Sequence, residues 1–299
     1  MGDILVGITS WTEPTLISSG RFYPAWARNA EGRLRFYSSQ FPIVEVDSSY
    51  YSLPSEITSG LWVNRTPEKF VFDIKAFRLF TQHQTSPSAL PADIGGTLTP
   101  ELAQRNNIYY RDLPGEITDE LWRRFAQALI PLDSAGKLGV VLFQFPPWFY
   151  PGDAQREHIA SCQEKLPQYR LAVEFRHASW TSEKNIERTL TFLKEHNLAY
   201  VCCDEPQGFT SSAPLLFEAT SDISVLRMHG RNKEAWEKTG ITTADRFNYL
   251  YSEDELKELT PNVKVLAAKT RQMHVLFNNC YEDKAVVNAG QMKGSAGLG

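Results

Sequence analysis

A chain of 299 residues, 42% hydrophobic and 22% charged, has apolar material for one large domain or two small ones, and disorder is not expected. The formal net charge of −4 disfavours a protein that grips polyanions over its whole surface, although it leaves room for a local basic pocket. The four cysteines, Cys162, Cys202, Cys203 and Cys280, contain no C-x-x-C pair, so neither a zinc site of that kind nor a disulfide framework is indicated.

Along the chain, short β-rich apolar runs alternate with stretches of helical period. The amino terminus carries no basic leader with an apolar core. The first run, "ILVGITS" from Ile4, is followed by "TSWTEPTL", which has no G-x-G-x-x-G to seat a dinucleotide. A helix over Leu34–Gln40 leads to "IVEVDSS" from Ile43, and "FVFDIKAF" follows from Phe70. Arg78 to Thr118 is too long for an ordinary connection and is read as a lid or insertion, which protease should nick before any strand. Helix Asp119–Leu132, strand "LGVVLFQFP" from Leu138, helix Ala154–Leu166 and strand "LAVEFRH" from Leu171 come next. In the helix over Glu183–His196, Ile186, Leu190 and Leu193 share a face, with Thr181 or Ser182 as the expected cap. "AYVCCDE" from Ala199 and "SVLRMHG" from Ser224 read as strands, and a second long segment runs from Gly230 to Tyr251. The pattern over Glu253–Arg271 contains Pro261 and is expected to divide there, before a last strand, "HVLFNNC" from His274. Eight strands with intervening helices and no linker predict one α/β domain over 1–299: a TIM-type (β/α)8 barrel with long βα loops over its C-terminal face. No apolar run approaches the roughly 18 residues of a membrane helix, and a cytoplasmic protein is expected.

Strand parity then places charge inside the barrel, because alternate side chains face the interior and the helix layer. With Val173 and Phe175 outward, Glu174 and Arg176 point in. The same reading brings in Glu45 and Asp47, Asp73 and Lys75, and Arg227 and His229, together with Gln144, Asp204 and one of Asn278 or Asn279. Glu45 and Glu174 are candidate acid and base, His229 a proton shuttle, and Lys75, Arg176 and Arg227 anion clamps. The competing interpretation is that these buried charges merely neutralise one another. Beside Arg176 and His177 at a strand end, Glu174 is expected to be hydrated, so that Glu174→Gln costs about 1 kcal/mol or less. Trp11, Tyr50, Tyr51, Trp148 and Trp180 each follow a strand and could form a stacking wall. No H-x-H or H-E-x-x-H spacing supports a metal, and no cofactor is expected.

In order, "GITSWTEP", "FYP" at Phe22, "VEVDSSYY", "TPEKFVFDIKAF", "VVLFQFPPWF", "AVEFRHASW", "LRMHGRN" and "FNNCYEDKAVVNAGQM" resemble the blocks of the YecE-like family, the domain of unknown function 72. The resemblance covers nearly the whole chain and implies a TIM-type barrel, while supplying no activity. It singles out by position Trp11, Glu45, Tyr50, Lys75, Gln144, Glu174, Arg176, His177, Trp180, Arg227, His229, Gly230 and Asn279, of which Trp11, Tyr50, Gln144, His177, Trp180 and Asn279 join the clamps as candidate ligand-binding groups. The leading expectation is a hydrolase or lyase acting on a small anionic sugar- or phosphate-bearing molecule at the mouth. The alternatives are a nucleic-acid-binding or repair-associated protein with an aromatic, basic mouth, and a non-catalytic ligand binder.

Overall fold

The computed structural model describes residues 2–295. Eight parallel strands close in sequence order into a barrel: β1 Asp3–Ile8, β2 Ile43–Val46, β3 Val71–Lys75, β4 Leu138–Phe145, β5 Leu171–Phe175, β6 Ala199–Asp204, β7 Ile223–Met228 and β8 Gln272–Phe277. Closure is made by β1 against β8 in continuous register from Asp3–Gln272 to Ile8–Phe277. All eight expected runs are strands. Their polar ends turn off the sheet: after β2, Asp47 already has helical backbone, and the Ser49 hydroxyl donates to the Val46 and Lys75 carbonyls.

Helices Ala30–Gln40, Glu56–Asn64, Gly115–Ser134, Asp153–Lys165, Ile186–Glu195, Glu253–Lys269 and Lys284–Ser295 surround the barrel, and residues 205–222 cross from β6 to β7 as irregular chain. Two local expectations are corrected. Glu253–Lys269 is a single helix despite Pro261, because Pro261 lies on the solvent side while Leu256, Leu259, Val263 and Leu266 are buried along the opposite face. One solvent-side hydrogen bond is lost, and burial of that face holds the two halves together. Helix Ile186–Glu195 starts later than expected, at Asn185 with no side-chain cap. Thr181 is taken up in the short 3-10 turn Ala178–Thr181, and the Ser182 carbonyl accepts from the Asn185 and Ile186 amides.

The strands separate two apolar sets. Val6, Ile8, Val44, Val46, Phe72, Ile74, Phe143, Phe145, Val173, Phe175, Met228 and Phe277 pack toward the helices. Leu5, Ile43, Val71, Val140, Leu142, Ala172, Ala199, Val201, Ile223, Val225 and Leu276 plug the interior. Inward positions grow polar toward the strand C-termini, as in Ile43–Glu45–Asp47, Val71–Asp73–Lys75, Ala172–Glu174–Arg176 and Val225–Arg227–His229. The apolar plug fills the lower interior, and most inward polar groups gather toward the upper end.

Low in this interior, Asp73 accepts from the Val140 amide at 2.9 Å and faces His274 Nδ1 at 2.8 Å. Gly139 makes room for the pair, since a Cβ there would lie 2.2 Å from Asp73 Oδ1. Among the described residues, no helix is long and apolar enough to cross a membrane.

Candidate functional site

Three tiers of polar side chains occupy the upper barrel. The lower tier is a closed ion-pair network. Arg227 Nε and Nη2 donate to the two oxygens of Glu45 at 2.9 and 2.6 Å, and its Nη1 donates to Glu174 at 2.5 Å and Gln144 at 3.3 Å. Glu45, Glu174 and Arg227 are each 0% exposed. Burial alone would push Glu174 up, but Arg227 first, then His229 and Arg176, outweigh it and hold its carboxyl well below the usual range. Burial raises Glu45 to about 7 against the pull of Arg227. Two carboxylates share one guanidinium here, with no water to solvate the second.

The middle tier holds Arg176 from behind. Its Nη1 lies 3.0 Å from Glu174 Oε1, 3.1 Å from His229 Nε2 and 3.0 Å from Glu205 Oε2. Burial first, then the two neighbouring guanidinium groups, pushes His229 down to about 3, so its ring is neutral. Asn278 Nδ2 donates to His229 Nδ1 at 2.8 Å, and Asn278 Oδ1 in turn accepts from Thr9 at 2.6 Å. His229 Nε2 faces Glu174 Oε1 at 3.4 Å. Glu205 accepts from the Ala213 amide at 2.8 Å, and burial raises it to about 7.

The upper tier opens to a cavity of about 220 Å³ lined by Thr9, Ser10, Glu13, Asp47, Tyr50, Tyr51, Lys75, Gln144, Arg176, Thr243, Ala244, Phe247, Asn278 and Cys280. Lys75 Nζ donates to Asp47 at 2.8 Å and sits 4.6 Å over the Tyr50 ring. Burial opposes its charge, but Asp47 more than compensates, so its pKa is raised and it stays protonated. Arg176 lies 4.8 Å over Trp236, and its Nε and Nη2 make no hydrogen bond among the described residues. Buried His83, beside Tyr50, is pushed down to about 3 by burial and then by Lys75, Arg78 and Arg176.

Of the sequence-derived candidates, Tyr50, Lys75, Gln144 and Arg176 line the cavity, while Glu45, Glu174, Arg227 and His229 lie beneath it. Glu174 is therefore dry and paired, where a hydrated carboxylate was expected. The parity reading errs in β6 and leaves β8 open. In β6 the interior residues are Cys203 and Glu205; Asp204 faces outward, where it accepts from Tyr251 at 2.7 Å and from Arg231 Nη2 at 2.7 Å. Tyr200 is too bulky for the interior beside Ala172 and Ala199, and this was the available signal. Asn278 faces in, and Asn279 donates to the Tyr249 carbonyl and to Asn288, both at 2.9 Å, locking β8 to the outer layer.

The remaining motif positions build structure. Trp11 is buried against Trp62 and Phe72, and Trp180 stacks on Phe175 at 4.2 Å while its Nε1 donates to the Phe149 carbonyl at 2.6 Å. His177 sits on the rim, where Nδ1 contacts Ser179 at 2.6 Å. Gly230 has φ +86°, and a Cβ there would meet Tyr249 at 2.6 Å. These contacts give Trp11, Trp180 and Gly230 packing and backbone roles.

The segment 78–118 is anchored in the core. Leu79, Phe80, Leu90, Ile94, Leu98, Ile108 and Leu113 are buried, and a bridge pairs Thr85 with Ile108. It borders the cavity through His83, while the later segment supplies the lining residues Thr243, Ala244 and Phe247. Glu174, Cys203 and His229 form one cluster of metal-ligand type, with ligand atoms within 4.8 Å of one another. The guanidinium of Arg176 already stands against Glu174 and His229 there, and burial holds the Cys203 thiol well above its usual pKa, so the donor set fits a cation that is part of the chain better than a metal.

Residues 5–298 match the family described as "Protein of unknown function DUF72". The chain is 33% identical over 296 residues to the UPF0759 protein YunF of Bacillus subtilis (strain 168), covering 97% of this chain and 93% of that protein. It is also similar to the crystal structure of a DUF72 family protein from Thermotoga maritima MSB8, at 29% identity and TM-score 0.75 over 98% of both chains. A DUF72 family protein from Enterococcus faecalis V583 shares the fold at TM-score 0.79 and 24% identity, over 99% of this chain and 96% of that one. With its barrel, its motif positions and its full-length match in agreement, the chain belongs to the DUF72 family.

Proposed function

We propose that the barrel mouth binds a small anionic molecule, sugar- or phosphate-bearing, between Lys75 and Arg176, and that carboxylate acid–base chemistry acts on it as a hydrolase or lyase. The observation that carries this reading is the division of labour in Arg176. Its Nη1 is held by Glu174, Glu205 and His229, while Nε and Nη2 make no hydrogen bond among the described residues, and the residue lines the cavity together with Lys75. A cation braced by buried carboxylates is pre-organised for an incoming anion and needs little reorganisation on binding. Tyr50, Gln144 and Asn278 add hydrogen-bonding groups at the wall.

Glu45 and Glu174 are fully buried and paired, so the reacting carboxylate is Asp47, which lines the cavity with its side chain 31% exposed and hydrogen-bonded to Lys75. Glu45, Glu174 and His229 act as positioning residues beneath it. The four cysteines are free thiols, which suits the reducing cytoplasm in which we place the protein. Crystals soaked separately in phosphate and glucose 6-phosphate test the reading. An anion within hydrogen-bond reach of both Lys75 Nζ and Arg176 Nη2 is expected, and anions bound only at other sites would refute it.

A further inference from the structure

We propose that the groove beside the mouth, between Gln82–Gln84 and Tyr109–Arg111, is a subsite for a sugar ring, so that the ligand is a glycan of at least two residues with its anionic end in the mouth. This inference rests on the reading of the mouth given above and extends it to the substrate class. The groove encloses about 460 Å³ and is lined by Gln82, Gln84, Tyr109, Tyr110, Arg111 and Trp148.

Three observations support a ring-binding site. First, the groove is built rather than incidental. The antiparallel bridge between Thr85 and Ile108 brings its two sides together, with amide–carbonyl bonds of 2.9 and 2.8 Å. At its edge Gln82 has φ +60°, a left-handed conformation that a non-glycine side chain adopts at a cost and that is concentrated at binding sites. Second, several of its polar groups are uncommitted, although the Tyr110 hydroxyl accepts from Trp122 Nε1 at 3.0 Å. Among the described residues, the side-chain amides of Gln82 and Gln84 make no hydrogen bond, and Arg111 makes no ion pair, only a contact over the Tyr109 ring at 5.6 Å. Third, Trp148 is 50% exposed, a large aromatic surface left in water at the groove wall.

The chemistry matches a sugar. A pyranose offers a C–H face for an aromatic ring and a rim of hydroxyls that both donate and accept, which primary amides complement in both senses. Single-stranded nucleic acid needs a track of cations along its backbone, and the groove offers Arg111 alone. Continuity with the mouth comes from a row of rings. Tyr50, on the cavity wall, meets His83 at 5.3 Å, and His83 meets Trp148 at 5.8 Å, both edge to face. Two such steps span the scale of a disaccharide, with His83 buried between the two walls and Arg78 over the Tyr50 ring at 5.2 Å.

The test uses the full chain, Trp148→Ala, and Trp26→Ala, which removes an exposed tryptophan elsewhere on the surface. Isothermal titration with four neutral disaccharides, maltose, cellobiose, lactose and diacetylchitobiose, probes the groove without the cations of the mouth. At least one should bind the wild type, weaken about tenfold or more in Trp148→Ala and be unaffected by Trp26→Ala. Glucose 6-phosphate titrated in parallel separates the two claims. If it binds and no disaccharide does, or if disaccharide binding is indifferent to Trp148, the subsite is overturned and the mouth reading stands. If a disaccharide binds through Trp148 and glucose 6-phosphate shows no affinity, the groove stands as a sugar site and the anionic end is overturned. A single-stranded oligonucleotide that binds through Trp148 while every disaccharide fails would overturn the sugar assignment in favour of base stacking.

Discussion

Replacing Glu174 by glutamine keeps shape and removes charge at the centre of the buried network. Glu174 Oε2 accepts from Arg227 at 2.5 Å, Oε1 accepts from Arg176 at 3.0 Å, and the side chain is fully buried. A glutamine can still accept with its carbonyl, but its amide would set two donors against a guanidinium that only donates. Arg227 would keep Glu45 alone as its counter-charge, and Arg176 would keep Glu205. Breaking a buried pair from one side costs about 3–5 kcal/mol, a large share of the roughly 5–15 kcal/mol that holds a domain folded. Guanidinium chloride denaturation of both proteins at pH 7 should show that loss as a shifted midpoint with an unchanged slope. Combining it with Arg227→Met should cost less than the two single changes summed, because the stranded cation is then gone. A loss of about 1 kcal/mol or less would refute the reasoning, since it would mean that water reaches the carboxylate and that Glu174 is free to act as an acid or base.

Glu205→Gln should change the pH dependence of stability. Burial raises Glu205 from 4.5 to about 7, so the folded chain holds this proton more tightly than the unfolded one and loses stability as pH rises through that window. The variant should therefore gain on the wild type by on the order of 1–3 kcal/mol between pH 5 and pH 8, and a gap that is flat or shrinks would contradict the placement. His229, pushed down to about 3, should show by nitrogen NMR a neutral ring at pH 5, and a titration near 6.5 would disprove its burial behind Arg176. Gly139→Ala would bring a Cβ to 2.2 Å from Asp73 Oδ1 and 2.8 Å from both His274 and Val71, and should lower stability by about 1–3 kcal/mol in thermal unfolding. An unchanged melting temperature would show that the Asp73–His274 pair is not held as described.

The barrel was legible because eight apolar runs with turn chemistry between them leave few other ways to bury a sheet on both faces. Parity also placed Glu45, Lys75, Glu174, Arg176 and Arg227, since each has bulky apolar neighbours that must face the helices. It failed in "VCCDE" and left "FNNC" open, because in each the two adjacent residues are alike in size and polarity and either could point inward. Depth was harder to read than direction. A strand shows which side chains face in, but whether water reaches them depends on how far the neighbouring strands and the segment 230–251 rise around them, and Phe247 and Trp236 in that segment help to close the space over His229. For the same reason the segment 78–118 reads as a lid from its length, although Phe80 stacks on Trp122 at 3.7 Å and anchors it in the core.

The most direct test of the central claim, an anion held between Lys75 and Arg176, is calorimetric titration of glucose 6-phosphate into the wild type and Lys75→Met. The variant should fold, because Asp47 is partly exposed and can be hydrated once its partner is lost. Binding in the wild type that weakens about tenfold or more in the variant, and weakens with added salt in the wild type, is the predicted result. Equal affinity in the two proteins, or no binding to the wild type, would contradict it.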